Sequence, residues 1–243
     1  GYELPELRVH EEVVSVDNST AGTDRDGQVK MFREAALGLA DAAKERRDNM
    51  AEKIARVVEI INRPENKDEH FLLWHDLESE REALCKAIPG CKAVYGSQDD
   101  EEADKVIADF KNGRLKYLAA KPEMLGEGLN FQYHCHKAIM FIDYRFNDKF
   151  QAIARIYRFM QKHPVDLYLV YAESEGEIFK SFMQKWAQHR EMVSKMTDIV
   201  RENGLFGLQA EEKMMRWMFA SREEKSGKLW KAINNDNVLE CQK

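Results

Sequence analysis

Hydrophobic and polar positions recur with two different periods along this chain of 243 residues. Near the start, Val9, Val13, Val14 and Val16 within RVHEEVVSVD (8–17) predict a strand. DNSTAGTDRDG (17–27) is rich in turn formers. Residues 28–62 read as helical; in their second half Met50, Ile54, Val57, Val58 and Ile61 repeat at helical spacing until Pro64 closes the run. A regular alternation follows. Short apolar runs at 70–75, 92–97, 115–121, 137–143 and 165–172 predict strands, and 77–88, 99–113, 148–161 and 175–203 predict helices between and after them. The helix at 99–113 has acidic residues in its first turn and Gly113 after its end, as a helix dipole and C-terminal cap favour.

Strands that are short, apolar throughout and separated by amphipathic helices are expected to be parallel and covered on both faces. The fold class is therefore α/β, with a doubly wound parallel sheet sandwiched by helices over residues 68–190. Residues 1–67 read as a strand plus helical lead-in packed on that core, and 191–243 as a C-terminal helical extension. In the extension Met214, Met215, Trp217, Met218 and Trp230 read as packing surface, since Met and Trp fill irregular contacts well.

Composition narrows the function classes. With 44% hydrophobic residues the chain is not wholly disordered, and no run of 18 apolar residues exists, so no membrane partner is expected. No charged segment followed by an apolar stretch marks a secretory signal, and a cytoplasmic, monomeric protein of bacterial or phage type is expected. Cysteines 85, 91, 135 and 241 form no CxxC pair and read as reduced thiols. His134, Cys135 and His136 are adjacent, so their side chains alternate across a strand and no metal site is expected. The chain begins Gly1-Tyr2 and ends Cys241-Gln242-Lys243 with no helix stop, which reads as a piece of a longer polypeptide.

The net charge of −6 argues against holding nucleic acid by bulk charge, but the acid is concentrated in places such as DDEEAD (99–104). Residues 144–162 carry Arg145, Lys149, Arg155, Arg158 and Lys162 against Asp148, a local +4. On a continuous helix over 148–161, Gln151, Arg155, Arg158 and Lys162 fall within about 60° of one another. Phe150, Ile153, Ile156, Tyr157 and Met160 occupy the other side. Upstream, PEMLGEGLNFQ (122–132) follows a strand; Gly126 and Gly128 permit close backbone approach to a ligand, and Asn130 and Gln132 bring amides. Each feature alone is also what a plain turn or a solvated helix face looks like. Together they place guanidinium forks, the groups best suited to clamp phosphates, one strand after a glycine-bearing loop.

In that order, GEGLNFQ and QAIARIYRFMQ resemble motifs V and VI of superfamily-two helicases, most nearly those of the Swi/Snf-like DNA translocases. Motif VI of that group has Gln, Arg four later, Arg seven later and Gln ten later; here these are Gln151, Arg155, Arg158 and Gln161. FLLWHDLESEREAL resembles motif IV, and VYGSQDDEEADKVIADFKNG the segment after it, so the resemblance spans roughly 68–185. It implies the second RecA-like domain of a motor, with ATP and Mg²⁺ bound mainly by a first RecA-like domain. It further implies Arg158 as arginine finger, Arg155 as a supporting phosphate contact, and Gly126, Gly128, Asn130, Gln151 and Gln161 near the nucleotide. His75, Ser97 and Lys121 sit at strand ends that in the family face the nucleic-acid backbone, here expected to be DNA. The chain departs from the family pattern at Met160, where a small residue is usual, at Ala154, often acidic, and at KPEML, which replaces a Ser/Thr-rich start of motif V.

No GxxxxGKS/T segment and no DEAD-like motif occur; SGKLW (226–230) lacks the glycine and the hydroxyl that would make it a phosphate loop. Hydrolysis needs both halves of a cleft, so the chain alone is expected to turn over no ATP. Two other readings stay open: a nucleotide-binding α/β domain of another class, such as a methyltransferase or a Rossmann enzyme, although GxGxxG is absent, and an interaction module built on the helical ends.

Overall fold

A computed structural model describes residues 4–15, 49–125, 129–143 and 145–203. The predicted loop 17–27, the first part of the predicted helix 28–62, Gly126, Gly128 and the Met- and Trp-bearing tail lie outside the described residues. Six strands form one sheet: β1 (Leu7–Val14), β2 (Phe71–Trp74), β3 (Lys92–Val94), β4 (Tyr117–Ala120), β5 (Lys137–Phe141) and β6 (Val165–Ala172). Their order is β1-β6-β5-β2-β4-β3, and every neighbouring pair is parallel. Among the described residues five α-helices accompany them: α1 (Met50–Ile61), α2 (Glu78–Ala87), α3 (Asp100–Lys111), α4 (Phe146–Ile153) and α5 (Gly176–Asn203). A fully parallel sheet accompanied by helices is the α/β architecture that the sequence implies. The chain divides into two compact units, residues 1–183 and 184–243, and the sheet lies wholly within the first.

The central strands read as apolar runs because both of their faces are covered. All four residues of β2 and all five of β5 are buried. Alternate residues serve opposite layers. Phe71, Leu73, Ala93, Ala119, Ile139, Phe141, Tyr168 and Val170 pack with Ile54, Val57, Ile60 and Ile61 of α1 and Leu84 of α2 in one cluster. On the other face Tyr171 stacks on Phe179 of α5 at 4.5 Å, and Phe110 of α3 meets Phe131 edge-on at 5.2 Å.

The valines of β1 predict a strand, yet of those described only Val14 is buried, and it shares its face with the buried carboxylate of Glu12. Val9 and Val13 remain exposed at 38% and 37%, whereas Glu12 is 8% exposed. The reason is pairing. Arg63, just after α1, donates to both Glu12 carboxylate oxygens at 2.7 and 2.9 Å, and Arg56 of α1 lies 3.6 Å away. His10, on the same face, stacks on Tyr168 at 4.5 Å. A bidentate guanidinium makes burial of the carboxylate tolerable.

The predicted helix 148–161 requires correction. α4 covers only Phe146–Ile153, and residues 154–160 are a series of tight turns. Tertiary partners claim the groups that a helix would use. The Arg155 carbonyl accepts from the Phe131 amide at 3.1 Å, and the Ile156 carbonyl accepts from the Gln161 side chain at 3.4 Å. Met160 then takes φ +71°, which a right-handed helix excludes. Gln151, Arg155, Arg158 and Lys162 therefore do not share a helix face.

Candidate functional site

In a doubly wound parallel sheet, ligands collect outside the carboxyl ends of the strands, at the point where successive connections leave in opposite directions. Here that point lies between β2 and β5: the chain leaves β2 toward β3 and β4, and leaves β5 toward β6. The strand-end loops there meet in a dense ion network. Asp76, just past β2, accepts from Arg145 Nη2 at 2.7 Å and also from Lys149 of α4, and both Asp76 and Lys149 side chains are almost wholly buried. Arg145 is further held by Asp143 at 3.0 Å and by Glu123 at 2.8 Å. Across the β2 end, Lys121 lies 2.6 Å from Glu78, which also receives Arg81 at 2.8 Å. The two cations hold the Glu78 carboxyl below its usual range.

This changes the reading of the local +4 at 144–162. Arg145 is ringed by four carboxylates, those of Asp76, Glu123, Asp143 and Asp148, and Lys149 is buried on the first of them, so neither contributes to an open basic surface. Of these groups, Asp76, Glu123 and Asp143 carried no signal in the sequence, because the network joins residues up to 73 positions apart.

Arg155 and Arg158 differ. Arg155 Nη2 donates to the Leu125 carbonyl at 2.9 Å. Arg158 donates to the Asn130 side-chain oxygen and reaches the Leu129 carbonyl at 3.5 Å. Both arginines are half-buried. Among the described residues no carboxylate lies within ion-pairing distance of Arg158; its partners there are neutral oxygens, so its charge is kept in place without being neutralised. The arrangement can present a positive, directional donor set to an anion.

The structure thus brings together Asn130, Arg155 and Arg158 from the two segments singled out in the sequence. Gly126 and Gly128 lie outside the described residues, while Leu125 and Leu129 flanking them both touch the arginines. Gln151 is exposed on α4. Gln161 is buried and braces the turn from within, its amide donating to the Cys135 carbonyl at 3.0 Å while its oxygen accepts from the His163 amide at 3.1 Å. Gln132, likewise, is buried. Ser97 is exposed in the turn between β3 and α3, and Lys121 is engaged with Glu78.

His75 is enclosed at the end of β2, with 0% exposure and no protein partner on either ring nitrogen. Burial pushes its pKa down to about 4 despite the nearby carboxylates of Glu80, Glu78 and Asp76, so the ring is neutral at pH 7. A neutral, enclosed imidazole is not placed as a surface phosphate contact.

At the opposite edge of the sheet, His134, Cys135 and His136 diverge. Cys135 is buried and donates toward the Lys137 carbonyl at 3.2 Å, its thiol pushed up to about 12 by burial. The His136 ring stacks on His163 at 4.9 Å, while His134 is exposed. Among the described residues, no group of three or more His, Cys, Asp or Glu is arranged to hold a metal ion, and no helix is long and apolar enough to cross a membrane.

No protein-family model matches the chain, and no curated protein sequence matches it significantly. Solved structures do resemble it. The C-terminal part of the Fun30 ATPase domain is 16% identical, with a TM-score of 0.48, over 54% of this chain and 44% of that one. The C-terminal domain of the DEAD-box protein Dbp5 is 16% identical, with a TM-score of 0.47, over 57% of this chain and 80% of that one. An S. cerevisiae Dbp5 C-terminal domain bound to a Gle1 variant is 14% identical, again at 0.47, over the same shares. The chain spans less than half of the Fun30 chain it matches.

Proposed function

We propose that this chain is the C-terminal motor half of an ATP-dependent DNA helicase or translocase, with Arg158 as its arginine finger. The observation that carries this reading is the joining of the two sequence segments: Arg158 rests on Asn130, and the Arg155 carbonyl receives the Phe131 amide at 3.1 Å. The positive φ of Met160 supports it as well, because the motif that this segment resembles usually has a small residue there.

The donor set fits a phosphate contact: a guanidinium held by neutral oxygens, with a second guanidinium three residues away. It does not fit Mg²⁺, which prefers oxygen ligands such as carboxylates. Mg²⁺ and most of the nucleotide are therefore assigned to a first RecA-like domain of the same polypeptide, which would supply the phosphoryl group and the charge neutralisation on its side. In this chain Arg158 meets the negative charge that develops on the transferring phosphoryl oxygens, and Arg155 holds the loop after β4 through the Leu125 carbonyl. DNA contacts would fall on the carboxyl edge, at Ser97 and Lys121, where Lys121 exchanges Glu78 for a backbone phosphate. Binding of that kind is salt-sensitive and largely independent of base sequence.

The test uses the full-length protein. Arg158→Ala should lower nucleic-acid-stimulated hydrolysis by about 10³–10⁵-fold while leaving ATP binding intact. Turnover at the parental rate would remove Arg158 from the mechanism. Stimulation by RNA and not by duplex or single-stranded DNA would keep the motor reading and overturn the choice of DNA.

A further inference from the structure

Two cations from different parts of the chain converge on one carboxylate at the carboxyl edge of the sheet. Glu78 opens α2, just beyond the end of β2. Its Oε1 lies 2.6 Å from Nζ of Lys121, the residue that directly follows β4. Its Oε2 accepts from Nε of Arg81, one helical turn further along α2, at 2.8 Å. Each carboxylate oxygen thus has its own cation, and the carboxylate bridges the two. The two non-bridging oxygens of a phosphodiester present a fork of the same kind.

The surroundings fix the cations and leave the anion replaceable. The Arg81 guanidinium lies 4.2 Å over the ring of Tyr95, next after β3, so a partner other than Glu78 also holds it. The side chains of Arg81 and Lys121 are only 19% and 25% exposed, whereas that of Glu78 is 53% exposed. The bridging anion therefore faces water and the two cations do not. Neighbouring carboxylates of α2 do not take its place. Glu80 is buried and accepts from the amides of Asp76 and Leu77 at 2.9 and 3.0 Å. Glu82 reaches Arg81 alone, at 3.5 Å. Ion pairs this open to solvent are individually weak, so a phosphate that binds both cations at once can displace the carboxylate.

We propose that Arg81 and Lys121 form a two-point clamp for one backbone phosphate of DNA, and that Glu78 is a built-in competitor that occupies the clamp until DNA arrives. Glu78 then sets the affinity: it keeps the clamp assembled when empty and weakens the hold when filled. The inference rests on the reading that DNA runs along this edge, and adds to it the second cation and the carboxylate that regulates both.

The test measures binding without ATP. The 243-residue chain is titrated into a fluorescein-labelled single-stranded oligonucleotide and its duplex, and anisotropy is followed at stepped KCl concentrations. On the form that the parent binds more tightly, Glu78→Gln should tighten binding about fivefold, because two exposed ion pairs no longer have to be broken. Glu101→Gln, which removes the same charge from an exposed position in the first turn of α3, should tighten it by less than about twofold. Arg81→Ala should weaken binding and flatten its dependence on salt. In a chain carrying both Arg81→Ala and Lys121→Ala, adding Glu78→Gln should gain no more than Glu101→Gln does. Circular dichroism confirms that each variant is folded. Equal tightening by Glu78→Gln and Glu101→Gln would reduce the effect to net charge and overturn the proposal. So would a Glu78→Gln gain that survives loss of both cations, or no measurable binding by parent and Glu78→Gln alike. None of these outcomes bears on Arg158, whose role is read from hydrolysis by the full-length protein.

Discussion

Replacing His75 with Leu tests how the end of β2 is built. In the folded chain the ring titrates at about 4, against about 6.5 when unfolded, because burial disfavours the imidazolium. Between those values the unfolded state binds more protons, so stability is full above pH 6.5 and is lost as pH falls toward 4. The two values together give a loss of about 2 kcal/mol between pH 7 and pH 5 from this one group. His75→Leu abolishes that dependence and also removes two ring nitrogens that have no protein partner, so the variant should be at least as stable as the parent at pH 7. The assay is urea unfolding of both proteins followed by tryptophan fluorescence at pH 7, 6 and 5. Acidic side chains titrate in both, so the informative quantity is the difference between the two pH slopes. Parallel slopes would refute the reasoning and return His75 to an accessible position, where a role on nucleic acid could be reconsidered.

Two other substitutions probe the packing around the site. Lys53 of α1 and Glu175 before α5 form an ion pair at 3.0 Å with both side chains at 2% exposure or less, so Lys53→Met should cost about 3–5 kcal/mol by leaving a buried carboxylate. Adding Glu175→Gln should recover part of that loss in denaturant melts, and a single-variant cost below about 1 kcal/mol would mean the pair is not desolvated in solution. Met160→Gly should stabilise the chain by about 0.5–1 kcal/mol, relief of the left-handed strain outweighing the greater freedom glycine gains when unfolded. A lower melting temperature in that variant would show instead that the Met160 contact with Tyr133, at 3.8 Å, matters more than the backbone.

The sequence by itself determined the layers. Uniformly apolar runs such as FLLW and AIMF can be accommodated only where both faces of a strand are covered, and amphipathic helices between them supply the cover. It also singled out the loop at 122–132 and the arginines at 155 and 158 as candidates for chemistry, since those types at that spacing are local information. The tertiary structure decided the rest, because it depends on partners distant in the chain. Asp76 and Glu123 neutralise Arg145, so charge counted along 144–162 does not become a basic surface. Phe131 and Gln161 take the carbonyls of Arg155 and Ile156 and end α4 at Ile153, where helical periodicity would have carried on. Glu12 is buried because Arg63 lies opposite it, while Val13 next to it is not. Periodicity tells which side chains can share a face; only the partner that meets each polar group decides which face is buried and which arginine keeps its charge to offer.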